Sequence, residues 1–335
     1  MKRLLTFASA LLLLAAAACQ EDLEDISQVT KFRVLAVQTE PPEVMPGENT
    51  ALTVLTADPA GNGRKVLAAG FALPGLITPS TTDVDVEIPY FWALDPAEAI
   101  DGIISLGSIG VPEDAVEYLP EDECDEEQPA PLKVTAVILI CAGDGLSEVS
   151  LLEAFAGFAS GMDQESDVTL DLSALCVEAG ADEGLTAMKT FTVFNRHPGD
   201  PQRNTNPMID GLMFDEQELP TAAVGGHGVF QCTSADGCRK GVEIQAWLTD
   251  ESYQQYETEE FCQPKTVDER MYVSWFADGG SFSADRSGSN DPLGPYEVDW
   301  IPPREGGSHT IWAVAHDIRG GVSWKIYSVE AIPPK

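Results

Sequence analysis

Short runs in which apolar residues alternate with polar ones recur from Lys31 to the end of the chain, and they predict β-strands throughout. Phe32–Val37 is the first of them. Its two interleaved sets, Phe32, Val34, Ala36 and Arg33, Leu35, Val37, are both largely apolar, so the pattern predicts a strand apolar on both faces. Two turn-rich links follow, Glu40-Pro41-Pro42-Glu43 and Met45-Pro46-Gly47-Glu48, and Thr50–Ala57 then alternates as a second strand. Val86–Leu94 holds Tyr90-Phe91-Trp92, and Leu132–Cys141 is a continuous β-branched run that predicts a buried strand. Asp167–Leu172 alternates again, and Met188–Phe194 reads as the last strand of a first domain. The pattern departs from strand periodicity once. Val149, Leu152, Phe155 and Phe158 recur at helical spacing, with Ser147 as N-cap and Gly161 beyond the end, which predicts a helix whose stripe packs on the sheets.

The breaks are as legible as the runs. Asp95–Ala130 is loop-like, and acidic residues flank Cys124 within it: Glu121-Asp122-Glu123 on one side, Asp125-Glu126-Glu127 on the other. These acids lack the alternating Asp-x-Asp-x-Asp-Gly spacing that wraps one calcium ion, so they read as a solvated loop pinned by a disulfide. Residues 195–207 contain Pro198, Pro201 and Pro207 among asparagines and arginines and mark a domain boundary. Beyond it, Val242–Leu248, Met271–Phe276 with Trp275, Tyr296–Trp300, His309–His316 and Val322–Val329 read as strands, separated by Asp278-Gly279-Gly280, Pro302-Pro303 and Gly320-Gly321.

Residues 1–30 belong to neither pattern. Lys2 and Arg3 precede an apolar stretch, Leu4–Ala18, that ends in small residues before Cys19, as an export signal does. Cys19 in this setting resembles the lipobox of bacterial lipoproteins, with Ala16 where leucine is most common. The resemblance covers only about the first twenty residues. It implies cleavage after residue 18, acylation of Cys19 and membrane attachment through an amino-terminal lipid. Residues 19–30, with Glu21, Asp22, Glu24 and Asp25, then read as an acidic tether. Gln20 is not the aspartate that retains lipoproteins at the inner membrane, so the resemblance implies an outer membrane lipoprotein, facing the periplasm or exposed at the surface.

The Pro-Gly-Glu turn before the second strand resembles the opening of bacterial immunoglobulin-like domains. The order strand–Trp–Gly-Gly, Trp–Pro-Pro, strand–Asp-x-x-Gly-Gly–strand over residues 208–332 resembles immunoglobulin-like and PKD-like sandwiches. These resemblances imply a mainly β protein of two immunoglobulin-like antiparallel β-sandwich domains in tandem. The first, 31–194, carries a long insertion at about 95–180 with a short helix; the second spans 208–335. The second departs from antibody-type domains, having no cysteine on its presumed B and F strands.

Charge narrows the function classes. Of 19 basic residues, Lys2 and Arg3 leave with the export segment, so 17 remain against 55 acidic residues, a formal charge of −38. Such a chain repels phosphate backbones, which excludes nucleic acid as a partner. Six cysteines besides Cys19 remain: Cys124, Cys141, Cys176, Cys232, Cys238 and Cys262. An even number in an exported chain predicts disulfides, with fifteen connectivities open. Cys232 and Cys238 flank a turn-like Thr-Ser-Ala-Asp-Gly and are placed to close a small loop, which would leave Cys124 to pair with Cys141 or Cys176 within the first half. No pair has zinc-type spacing.

Four histidines, His197, His227, His309 and His316, read as surface residues. Nucleophile-elbow, zincin, Walker and dinucleotide motifs are absent, so no catalytic or cofactor-binding residue is assigned. Asp278, Asp285, Asp291, Asp299 and Asp317 fall at loops of the second domain, where aspartates of cadherin-like proteins bind Ca2+ between domains; the cadherin motifs themselves are absent, so Ca2+ stays a minor alternative and no metal-ligating residue is assigned. The expected function is a non-enzymatic binding, adhesion or scaffold module with a protein or glycan partner. Two alternatives stand beside it: an accessory component of an envelope secretion or surface-polymer assembly, and a divergent glycan hydrolase using two carboxylates within 95–180.

Overall fold

The computed structural model describes residues 26–59, 64–74, 92–119, 130–161, 172–195, 203–214, 217–218, 226–231, 241–260, 262–304 and 306–332. The first domain is built from β1 (Arg33–Glu40), β2 (Glu43–Val44), β3 (Asn49–Ala57), β4 (Val66–Pro74), β5 (Trp92–Glu98), β6 (Ile103–Gly110), β7 (Leu132–Ala142) and β8 (Glu183–Val193). They form a three-stranded sheet, β1-β3-β6, facing a five-stranded sheet, β2-β8-β7-β4-β5. Leu52, Val54, Ile104, Val134, Ile138 and Phe191 fill the space between the two. Trp92 packs at the margin of this core, and its indole N–H donates to the Gly110 carbonyl at 2.7 Å.

The excursion at 95–180 contains the expected helix, and it also supplies β6 and β7, of which β7 is a central strand. β7 is buried on both faces because a second layer covers the sheet. Val137, Leu139 and Cys141 of β7 and Leu67, Ala69 and Phe71 of β4 meet Leu151 of the helix Glu148–Gly161 and Leu175 and Cys176 of the helix Leu172–Glu178. Ser147 caps the longer helix, its Oγ accepting the Ser150 N–H at 3.1 Å. In the first half of the helix the covering face differs from the expected stripe: Val149 and Leu152 are exposed, and Leu151 and Ala154 turn to the sheet, while the side chains of Phe155 and Phe158 lie outside what is described. A disulfide joins Cys141 to Cys176 and fixes the short helix to β7.

The second domain comprises β9 (Ile209–Phe214), β10 (Gln217–Glu218), β11 (Gly226–Gln231), β12 (Val242–Leu248), β13 (Gln255–Glu260), β14 (Gln263–Asp268), β15 (Met271–Ala277), β16 (Ser281–Phe282), β17 (Arg286–Gly288), β18 (Tyr296–Ile301), β19 (Gly307–Asp317) and β20 (Val322–Ile332). Two five-stranded sheets, β10-β9-β12-β18-β16 and β11-β20-β19-β15-β17, enclose a core around Trp275, Trp300, Tyr296 and Tyr327. β13 and β14 form a separate hairpin. Among the described strands the pairing is antiparallel except where β2 runs parallel to β8 and β11 parallel to β20.

Alternation in β18 follows from its setting. Tyr296, Val298 and Trp300 point inward, and Glu297, Asp299 and Ile301 face out. β19 is different, with Ile311 to Ala315 all buried, because its outer face is covered by the first domain. Trp312 and Val314 of β19 and Val322 of β20 pack against Leu35 and Ala36 of β1 and Leu55 and Ala57 of β3. This contact is the physical reason that β1 is apolar on both faces: one face fills the first sandwich and the other meets the second domain.

Two expected spacers are partly structured. Within the 19–30 tether, Ser27–Val29 dock on the second domain. The Ala277 N–H donates to the Ser27 carbonyl at 2.9 Å, and the Val29 N–H donates to the Ala277 carbonyl at 2.8 Å. The Gln28 amide donates to the Gly280 carbonyl at 2.6 Å. Gly280 has a φ of +81°, and a Cβ there would lie 2.4 Å from the Ile301 carbonyl, so this docking turn requires glycine. Within the 195–207 linker, Asn204 and Asn206 are buried between the domains; residues 196–202 and 1–25, with Cys19, lie outside the described residues.

Candidate functional site

Two places bring polar chemistry together. The first is the domain junction. Arg203 donates from both terminal nitrogens to the Glu48 carboxylate, at 3.1 and 2.6 Å, and also reaches the Glu43 carbonyl. Asn206 bridges the domains: its amide donates to the Thr39 carbonyl at 2.8 Å, and its oxygen accepts the Val322 N–H at 2.7 Å. The Lys189 ammonium, on the last strand of the first domain, donates to the Gly320 carbonyl of the second at 2.5 Å. Burial pushes Lys189 down to about 8, against the pull of nearby Asp317. Asp317 itself accepts the Arg319 and Gly321 N–H groups through Oδ1 and so closes its own turn.

The second place is a groove of about 840 Å³ on the second domain, between the β13–β14 hairpin and the 289–292 loop. Tyr253 and Tyr256 supply rings, with the buried Tyr296 behind the wall, Ser289 and Asn290 supply polar groups, and Lys265 and Arg270 supply cations. The Tyr253 hydroxyl donates to Asp268 Oδ1 at 2.6 Å, and this bond holds the Asp268 carboxyl below the usual carboxylate range. Beneath the groove, Arg319 makes a two-pronged pair with Glu269, at 2.9 and 2.8 Å. Its Nη2 also donates to Gln254 Oε1, and the guanidinium lies over the Tyr256 ring, 4.4 Å from the centroid. Burial raises the Glu269 carboxyl despite this partner.

The candidates taken from the sequence fall elsewhere. Cys141 and Cys176 pair with each other, which leaves Cys124 without either of its expected partners, and Cys262 is disulfide-bonded as well; Cys124, Cys232 and Cys238 lie outside the described residues. The five aspartates serve separate local roles. Asp278 accepts the Thr310 N–H at 2.9 Å and sits 3.3 Å from His309 Nδ1, Asp291 accepts the Leu293 N–H at 3.0 Å, and Asp285 faces Arg286 at 4.0 Å. The Asp299 N–H donates to the Ser283 hydroxyl. Among the described residues no group of three histidine, cysteine or acidic side chains is placed to hold a metal ion. The described carboxylates between 95 and 180 are exposed, and Glu121 to Glu127 lie outside the described residues.

His316 is not the free surface histidine expected. It stacks on Tyr272 with centroids 4.6 Å apart, and burial, with nearby Lys189 and Arg286, pushes it down to about 4. Between pH 6.5 and 4 the unfolded chain therefore binds a proton here that the folded chain does not. Stability on account of His316 is full above pH 6.5 and falls as the pH drops towards 4, by at most about 3 kcal/mol. The raised Glu269 carboxyl acts with the opposite sign over part of that range. His316→Phe keeps a ring against Tyr272 and removes the titration. Urea midpoints measured from pH 7 to 4.5 should fall less steeply in this variant; parallel curves would refute the assignment.

No protein-family model matches the chain, and no curated protein matches it. Three solved structures illustrate its likenesses. Red sea bream transglutaminase is 10% identical with a TM-score of 0.23, covering 91% of this chain and 32% of that one. Dimeric latent PorU from Porphyromonas gingivalis is 14% identical with a TM-score of 0.22, covering 90% and 24%. Trypsin-activated alpha-2-macroglobulin from Escherichia coli is 11% identical with a TM-score of 0.23, covering 90% and 18%. The chain thus spans about a third or less of the length of each. Similarity at this level carries no argument about function, and the fold rests on the strand order and cores described above.

Proposed function

We propose that the protein is an acylated envelope lipoprotein that acts without catalysis, as a rigid binding, adhesion or scaffold module. Cys19 after its short apolar segment carries the reading. The lipid contributes about 0.8 kcal/mol per buried methylene, and more than one chain makes the attachment stable. The two sandwiches share an apolar cluster and buried polar bridges, so they present loops in one fixed arrangement. Because the chain is docked from Ser27 onward, Cys19 to Ile26 span at most about 25 Å when fully extended. The module is therefore held close to the membrane that anchors it.

The test compares the native protein with a Cys19→Ser variant in membrane fractionation and in protease shaving of intact cells. The native protein is expected in the membrane fraction and the variant in the soluble one. Equal partitioning of the two would remove the anchor and the reading with it. Digestion of the native protein on unbroken cells would favour adhesion, and protection until the envelope is opened would favour the scaffold role.

A further inference from the structure

The groove beside the hairpin combines features that together select a ligand class. Its volume of about 840 Å³ lies within the usual range for small-ligand sites. Rings and hydrogen-bonding groups share its wall: Tyr253 and Tyr256 on one side, Ser289 and Asn290 on the other. Flat rings beside hydroxyl and amide groups suit a sugar, which offers a C–H face to the ring and hydroxyls to the polar groups. Arg270, at the mouth, is exposed and has no ion pair among the described residues. Several other cations are committed: Arg64 to Asp58 and Glu183, Arg203 to Glu48, Arg319 to Glu269. In so acidic a chain an uncommitted guanidinium at a groove is a local exception, and it matches a carboxylate in planar two-pronged geometry.

We propose that this groove binds a short oligosaccharide carrying uronate carboxylates, with Arg270 pairing a carboxylate, Tyr256 supporting a sugar ring, and Asn290 bonding hydroxyls. Two carboxylates also line the groove, and both are engaged: Glu269 is paired by Arg319, and Asp268 Oδ1 accepts from the Tyr253 hydroxyl and the Gln255 amide. Acids farther off are screened beyond about 8 Å at physiological salt. Arg319 acts as a positioning residue, holding Tyr256 from below. The inference deepens the binding-module reading by naming the ligand class, and it is tested without the anchor.

The experiment uses the chain from residue 19 onward with Cys19→Ser, titrated calorimetrically at 150 mM salt with hexamers of mannuronate, glucuronate and galacturonate. Mannohexaose and hexaglutamate serve as the neutral and the non-sugar controls. At least one uronate hexamer is expected to bind ten-fold or more tighter than either control. Arg270→Gln and Asn290→Ala should each weaken that binding at least ten-fold and several-fold respectively, with unchanged melting temperatures. Binding of hexaglutamate as tightly as the uronates would show a site that reads charge alone and would overturn the proposal. Binding to none of the hexamers, or insensitivity to Arg270→Gln, would overturn it too. A negative result here with Cys19-dependent membrane attachment intact would remove the groove assignment and leave the anchoring reading in place.

Discussion

Replacing Arg319 with methionine should lower the stability of the protein by about 3–5 kcal/mol, the range for breaking a buried ion pair from one side. The Glu269 side chain is only 1% exposed, and both of its oxygens are bonded by the Arg319 guanidinium. Methionine fills much of the volume and donates nothing, so the carboxylate is left in a site that water does not reach. Burial already holds Glu269 above its ordinary value, and loss of the guanidinium moves it further up. The variant therefore binds a proton in the folded state that the unfolded chain releases, and its penalty shrinks as the pH falls towards 5. Arg319→Met combined with Glu269→Gln should recover most of the loss, because the orphaned charge is gone. Urea unfolding of the four proteins at pH 7.5 and pH 5 measures this; a single-variant loss below about 1 kcal/mol would mean that the pair contributes no more than a surface bridge.

How much of this architecture the sequence reveals depends on how many faces of each strand are covered. β12 and β18 cover one face, so their alternation survives and predicts them directly. β4, Val-Leu-Ala-Ala-Gly-Phe-Ala-Leu-Pro, lies between the sandwich core and the helix layer, and its apolar run of small residues has no period to read. β6 is interrupted by Gly107, whose φ of +81° departs from extended strand geometry. The helix at 148–161 was legible from its cap and spacing, yet Val149 and Leu152 are as apolar as the buried Leu151, so sequence could not choose its buried face.

Both polar sites were hidden for a related reason. Arg203, Asn204 and Asn206 sit in a stretch rich in proline and asparagine and read as linker; Asn204 and Asn206 are buried and Arg203 half-buried because partners far along the chain close on them, Glu43 and Glu48 on Arg203 and Asn204, and β1 and β20 on Asn206. The groove is built from Gln255–Glu260 and Gln263–Asp268, strands with almost no apolar signal, together with the 289–292 loop. What could have pointed to the junction was β1 itself. A strand apolar on both faces needs a second covering layer, and the second domain supplies it.

Removing the Cys141–Cys176 bridge should cost about 4 kcal/mol, from the entropy that a closed loop of 35 residues withholds from the unfolded chain. Both residues are fully buried, and their bond joins a central strand to the covering helix layer. The double variant Cys141→Ala/Cys176→Ala loses the bridge and leaves a small void, whereas Cys141→Ala/Cys176→Val loses the bridge and refills part of the space. If loop closure dominates, the two should be destabilised to within about 2 kcal/mol of each other, since two methyl groups separate them. If packing dominates, the valine variant should recover most of the stability. Reductant is not an equivalent test, because Cys262 is disulfide-bonded as well. Hydrogen exchange adds a spatial check. Amides of the helix Leu172–Glu178 should lose protection in the variants before those of β7 do, because the helix is short and gives up its covalent tie, whereas β7 keeps both of its sheet neighbours. Equal loss along the helix and β7 would mean that the bridge stabilises the whole sandwich and not the helix layer in particular.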